Sequence, residues 1–309
     1  MSSELSSKNI DPQAAIAVGE PTPGSDAEFG RAQSHLPDNP LIINRPEAES
    51  VLQTLHDFWQ YRELLQFLTW RDIKIRYKQT VMGAAWAVLQ PLLVVMVFAV
   101  FFGLFVGVPT DGLPYLVFYY SGILPWTFFA NAVSLSSMSL IGNANLINKV
   151  YFPRVFIPTA VVTSGLVDLV IASLILLGFL IYFGFSPAWP MLMLPVYLLL
   201  DVLLALGLGI WIAALTVKYR DIRHALPFIL QLWMFLTPII YPLSVVPEKG
   251  RGLLFINPLT GIVEGMRLGL RGRLLSFTAM TLTVTTILCI LGCGLYTFRR
   301  VERSMADVI

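Results

Sequence analysis

The chain reads as an all-α integral membrane protein: six transmembrane helices, an amphipathic interfacial helix ahead of the first, and two short re-entrant helices between the fifth and sixth. Three observations carry this. Of 309 residues, 56% are hydrophobic and only 13% charged, where soluble domains carry about 25% charge. The mean hydropathy is +0.71. The apolar residues are gathered in long runs separated by short basic or uncharged stretches, and not in the alternating pattern of barrel strands.

Residues 1–50 stand apart. They are rich in Ser, Pro, Gly, Asn and acidic residues, as in "GEPTPGSDAEFG". Such a segment cannot bury enough apolar area to offset chain entropy. It reads as a disordered cytoplasmic tail, with residues 51–309 forming the transmembrane domain. It has no apolar core of a secretory signal.

A helix needs about 20 apolar residues to cross about 30 Å of hydrocarbon. Six runs qualify: 84–108, 113–140, 155–183, 190–217, 225–243 and 276–298. With no water to pair backbone groups, each is expected to be helical. Lys and Arg cluster on alternate sides. One set of loops holds Arg71, Lys74, Arg76 and Lys78, then Lys149 and Arg154, then Lys218, Arg220 and Arg223, then Arg299, Arg300 and Arg303. The opposite loops hold only Asp111, or no charge. The positive-inside rule then puts both termini in the cytoplasm.

The stretch "WRDIKIRYKQT" immediately precedes the first span. Arg71, Lys74 and Lys78 recur at helical spacing beside a stripe of Phe67, Trp70, Ile73 and Tyr77. This predicts a helix in the interface plane, with rings in the lipid boundary and cations towards anionic head groups. A plain basic flank without a helix is the alternative.

Residues 244–275 break the charge rule, with Lys249, Arg251, Arg267, Arg271 and Arg273 on the outer side. In "NPLTGIVEGMRLGL", Asn257 is an N-cap candidate and Pro258 suits the first helical position. Gly261, Gly265 and Gly269 repeat every four residues and leave one face smooth for close helix contact. Two short half-inserted helices fit, lining or capping an outer opening; a loop lying flat on the membrane is the other reading.

Asp168 and Asp201 fall inside apolar runs. A charge at the bilayer centre is costly, so the expectation is hydrogen-bonded packing, with Asn131, Gln90 or Gln231 as partners, or a proton relay. Cys289 and Cys293 lie four residues apart in a span and read as small packing residues. His35, His56 and His224 are outside the runs, and no triad or metal cluster is visible. Neither a metal, a cofactor nor a nucleic-acid partner is expected for this chain.

Several stretches together resemble the ABC-2 type permease subunits that export polysaccharides, the O-antigen, teichoic acid and capsule exporters. "RDIKIRYKQTVMGAAWAVLQPL" is similar to that family's lead into its first span. "NKVYFPRVFIP" is similar to its loop between spans two and three, and "KYRDI" to that between four and five. "TPIIYPLSVVP" followed by "NPLT" is similar to the end of span five and the outer loop. The resemblance covers roughly residues 58–300.

It implies a homodimer working with two copies of a separate ABC ATPase in the bacterial inner membrane. This chain lacks the G-x-x-x-x-G-K-[ST] stretch that cradles ATP phosphates, so ATP and Mg would bind the partner. The implied cargo is an undecaprenyl-pyrophosphate-linked glycan. Arg71, Lys74, Arg76 and Lys78 would attract its pyrophosphate. Asn148, Lys149, Tyr151, Phe152, Pro153, Arg154, Lys218, Arg220 and Asp221 would couple to the ATPase, the "YFPR" stretch filling a groove on it. Phe98, Phe102, Phe105, Tyr119, Trp126, Phe129 and Trp233 are candidates for a path on which sugars stack, and Asn257, Pro258, Gly261, Gly265 and Arg267 for an outer gate. Two other functions compete: an ABC-2 permease for drugs or simple lipids, and a membrane enzyme acting on lipid-linked sugars. The enzyme would want paired carboxylates in an aqueous loop, which Asp111, Glu248 and Glu264 do not supply.

Overall fold

A computed structural model describes residues 59–78, 83–149 and 152–308, apart from the side chains at 83, 84, 87, 148 and 303–308. The expected tail, residues 1–50, lies outside them, as does Tyr151. The described residues form helices α1 (Arg62–Lys78), α2 (Gly83–Phe98), α3 (Tyr115–Gly142), α4 (Ala144–Lys149), α5 (Phe156–Ser164), α6 (Leu166–Tyr182), α7 (Leu194–Lys218), α8 (Ile222–Leu236), α9 (Glu248–Leu254), α10 (Pro258–Leu270) and α11 (Phe277–Val308). No strand occurs among them.

Five helical stretches are long and apolar enough to span: Val88–Phe105, Tyr115–Gly142, Phe156–Tyr182, Trp189–Lys218 and Phe277–Glu302. α3 is the central one, with 78% of its span buried, against 22% for the stretch built on α2 and for α11. Hydroxyls inside these helices bond back to carbonyls three or four residues earlier, as Ser121 does to Phe118 and Thr216 to Ile212. That is how polar residues survive where water is absent. Where α7 crosses α11, a Cβ added at Gly207 would come within 2.8 Å of the Leu291 Cα, and one at Gly294 would collide with the Gly207 carbonyl. Two glycines therefore let these backbones touch.

The expected fifth span, 225–243, is built on a shorter apolar helix than the other candidate spans. α8 stops at Leu236 after 15 residues, roughly 22 Å of helix. Thr237 precedes Pro238 and is extended, with ψ 136°, because the proline ring disfavours helical geometry in the residue before it. The chain then turns through 237–245 before the two short helices α9 and α10, which are bent 112° to each other. Asn257 caps α10, its side chain accepting from the Leu259 amide at 3.1 Å, and Pro258 follows in the first turn. Every α10 residue except Leu268 is buried.

The first span also differs from a plain helix. α2 runs into a π-helical segment, Ala99–Phe105. The Val106 amide reaches back five residues to Phe101. The wider turn shifts the register: Phe98 stays with Phe102, their ring centroids 5.5 Å apart, while Phe105 pairs with Phe101 at 5.7 Å. The expected stripe of Phe98, Phe102 and Phe105 is therefore split.

The cysteines are corrected too. Cys289 and Cys293 are unpaired and exposed on α11, so they face outward and do not fill the core.

Candidate functional site

α1 packs lengthwise along α5 and the start of α6. Tyr61 meets Phe156, Thr69 meets Thr163 at 2.9 Å, and Arg76 and Tyr77 reach Asp168. Asp168 sits in the first turn of α6, beside the last turn of α1. It is not deep in the bundle, and its partners are Arg76 and Tyr77 in place of the expected Asn131, Gln90 or Gln231. Burial first, and then the bond to the carboxylate, raise the Tyr77 phenol above its ordinary range.

Of the predicted pyrophosphate set, Arg76 is thus engaged on the Asp168 face of α1. The other three cations share the opposite face of α1, in a shallow groove with Phe67, Trp70 and Ile75. Arg71 pairs with Asp72 at 2.8 Å, and the Lys74 ammonium lies 5.4 Å from the Trp70 ring centroid. Phe67 and Trp70 are exposed. Aromatic and basic side chains on one exposed helix face suit a charged membrane surface.

The predicted coupling residues divide into two groups. Phe152 is not free to fill a partner's groove. It is 6% exposed, in a core cluster with Leu68, Leu140, Ile147, Val217 and Phe298. Arg154 is held to α11, its backbone amide donating to the Glu302 carboxylate at 3.0 Å and its guanidinium to the Glu302 carbonyl at 3.2 Å. Pro153 is half-buried. Lys149, Lys218, Arg220 and Asp221 are exposed, and the first two flank that same cluster, next to Ile147 and Val217. The Asn148 side chain lies outside the described residues.

The predicted path aromatics are largely internal. Tyr119 and Phe129 are fully buried and Trp126 is 8% exposed. Phe98 packs edge-on to Tyr119, and Phe129 edge-on to Trp233 at 5.4 Å. Only Phe105, 76% exposed, faces outward. Within one chain these rings hold α2, α3 and α8 together.

The predicted gate residues form the tightest part of the molecule. The Trp233 indole N–H donates to the Asn257 side-chain oxygen at 3.0 Å, and the Asn257 side-chain NH2 donates to the Thr237 hydroxyl at 2.8 Å. One capping residue thus ties α8, the turn after it and α10. Gly261 lies against Thr283 of α11 and Gly265 against the Tyr197 ring of α7. The smooth glycine face is thus occupied within the chain.

Arg267 is 1% exposed. Its guanidinium donates to the carbonyls of Pro238, Tyr241, Ile239 and Phe118 at 2.6–3.3 Å and stacks 3.6 Å over the Phe118 ring. It does not face an opening. It supplies the donors that the non-helical turn at 237–241 would otherwise lack. Nearby, Asp111, at φ 53°, accepts from Ser244 at 2.7 Å and pairs with Arg271 at 2.6 Å.

Asp201 was expected to be hydrogen-bonded. It is fully buried in α7, and neither carboxylate oxygen has a partner among the described residues.

Sequence reasoning missed the Arg76–Asp168 pair and the Arg267 pin. The first was signalled by a basic residue just ahead of the first apolar run and a carboxylate inside the third. The second was signalled by an arginine three residues from the end of a short helix whose one other charged residue is Glu264.

Together these features define a multi-pass, all-helical membrane protein. Residues 63–270 match the ABC-2 type transporter family, and the chain belongs to that family. It is 31% identical over 215 residues to the O-antigen export system permease protein RfbA of Myxococcus xanthus, covering 69% of this chain and 82% of that one. A Klebsiella pneumoniae protein of the same name is 27% identical over 248 residues, 80% of this chain and 95% of its own. The polysialic acid transport protein KpsM of Escherichia coli is 25% identical over 244 residues, 76% and 92% respectively.

Proposed function

We propose that this chain is the membrane permease of an ATP-driven exporter that moves a lipid-linked polysaccharide, of O-antigen type, from the inner to the outer side of the bacterial cytoplasmic membrane. The observation that carries this is similarity across most of the chain to permeases named for O-antigen export and polysialic acid transport. That similarity favours a glycan over a drug or simple lipid as cargo, and transport over enzymatic chemistry.

Two copies of the chain work with two copies of an ABC ATPase, which holds ATP and Mg. Both termini and α1 lie on the cytoplasmic side, where the basic loops collect. The exposed Lys149, Lys218, Arg220 and Asp221 face the ATPase. The cationic groove of α1, with Arg71, Lys74 and Lys78, gathers the pyrophosphate of an undecaprenyl-linked glycan from the inner leaflet. The turn at 237–245 with α9 and α10 re-enters from the outer side and closes the far end. Backbone of that kind persists at membrane depth where protein or a water-filled cavity surrounds it.

The test begins with purification from native membranes in mild detergent. A co-purifying ATPase and a polyprenyl-pyrophosphate glycan are expected. Proteoliposomes of that complex should then move the glycan across the bilayer only with hydrolysable ATP. An ATPase accompanied only by small lipids or drugs would overturn the choice of cargo. No ATPase at all would overturn the exporter reading. Reversing Lys218 and Arg220 to Glu should lower ATPase recovery several-fold without changing the yield of the permease.

A further inference from the structure

α1, α2, α3 and α6 line an open-sided cavity of about 540 Å³, within the range of about 300–1,000 Å³ usual for small-molecule sites. None of the predicted path aromatics lines it. α2 supplies Trp86 and, one turn on, Gln90. α3 supplies Thr127 and, one turn on, Asn131. The Arg76–Asp168 pair closes the α1 side.

Three features describe what the cavity would take. Gln90 and Asn131 are exposed to it, and neither amide has a hydrogen-bond partner among the described residues. An amide on an apolar wall with nothing to bond is costly, so the occupant must hydrogen-bond. The charges of the wall cancel, because Arg76 is already paired to Asp168. A phosphate or pyrophosphate needs a net positive site, and that lies on the other face of α1, at Lys74 and Lys78. Trp86 is 51% exposed and offers a flat ring beside the amides. Uncharged hydrogen-bonding groups next to an indole suit the hydroxyls and the apolar face of a sugar. An acyl chain would leave both amides unpaired.

We propose that this cavity binds an uncharged sugar residue of the lipid-linked glycan, held by Gln90 and Asn131 and stacked on Trp86. The inference rests on the exporter reading above. It adds a sugar site on the α2–α3–α6 side of the chain, and it makes the Arg76–Asp168 pair a wall of that site and not a pyrophosphate receptor.

The test uses the whole exporter, permease and ATPase together, in lipid nanodiscs. The probes are a short-chain polyprenyl pyrophosphate alone and the same lipid carrying one hexose, one 6-deoxyhexose or one N-acetylhexosamine. Two added hydrogen bonds and a stacked ring should make at least one sugar-bearing probe bind about tenfold tighter than the bare lipid. Asn131→Leu and Gln90→Leu should each reduce that gap below about threefold while leaving bare-lipid binding unchanged. Trp86→Phe should keep most of the gap and Trp86→Leu should not. Equal affinity for the bare lipid and all three sugar-bearing probes would overturn the proposal, as would a gap that the leucine variants leave intact. ATP-driven transport by the wild-type complex is measured in parallel. Transport with no sugar gap sinks the cavity site alone, whereas no transport of any lipid-linked glycan sinks the exporter reading.

Discussion

The two ends of this bundle are fastened by different chemistry. At the α10 end, a fully buried guanidinium bonds four carbonyls and lies on a phenyl ring. At the α1 end, Arg76 and Asp168 pair with side chains 28% and 35% exposed. Removing a buried cation orphans every acceptor it served. A half-exposed pair is screened and its partners can turn to water. The α10 end is therefore built as a fixed unit, and the α1 end as a contact that can part and re-form.

The strongest way to break this contrast is at Arg267. Arg267→Met keeps much of the apolar stem but leaves the carbonyls of the 237–241 turn without a donor. The expected loss is at least about 3 kcal/mol, seen as a larger drop in melting temperature than Gly261→Ala, Asp168→Asn or Asp201→Asn gives when the protein is heated in detergent. A drop no greater than that of Asp168→Asn would mean the turn finds other donors and the α10 end is not pinned.

Next comes the glycine face of α10. A Cβ at Gly261 would collide with Thr283, and one at Gly265 with the Tyr197 ring. Gly261→Ala should cost about 1–3 kcal/mol through overpacking, and Thr283→Ala in the same chain should recover part of it. Failure of that rescue would place the strain elsewhere.

Asp168→Asn should cost no more than about 1 kcal/mol. A double-mutant cycle with Arg76→Gln should assign most of that loss to the pair. A coupling well above this range would show the pair to be desolvated and the α1 end as rigid as the other.

Much of the fold was legible in the sequence because membrane crossing is a coarse constraint. Length, apolarity and the placement of Lys and Arg sufficed for the spans around α3, α6, α7 and α11. Asn257 and Pro258 were legible as a helix start because capping is local chemistry. The failures came where two distant stretches decide the outcome. Pro238 ends α8 early, but only because Arg267, 29 residues on, satisfies the carbonyls that the break releases. The π segment at 99–105 shifts Phe105 off its stripe, and a heptad-like spacing of Phe residues gives no sign of it. Phe152 and Arg154 resembled a docking motif, yet Leu68, Phe298 and Glu302 occupy them within the chain. Most of the rings chosen as path walls pack inside the single chain, Phe105 excepted: aromatic residues in a membrane helix serve either role at the same spacing.

Asp201 offers the smallest expected effect and the finest test. It is as buried as Arg267, but no described residue bonds either oxygen. A buried acceptor without a donor contributes nothing that an isosteric amide would lose. Asp201→Asn should therefore change stability by less than about 0.5 kcal/mol, and Asp201→Leu should leave it unchanged or raise it by about 1 kcal/mol, as when unsatisfied buried polar groups give way to apolar ones. The contrast with Arg267→Met would then show that stability in this bundle follows satisfied donors and acceptors and not the mere presence of a buried charge. A large loss in Asp201→Asn would say something different. The carboxyl would then have a partner outside this chain, on the second copy or on the cargo, and α7 would join α2 and α3 as a helix that meets it.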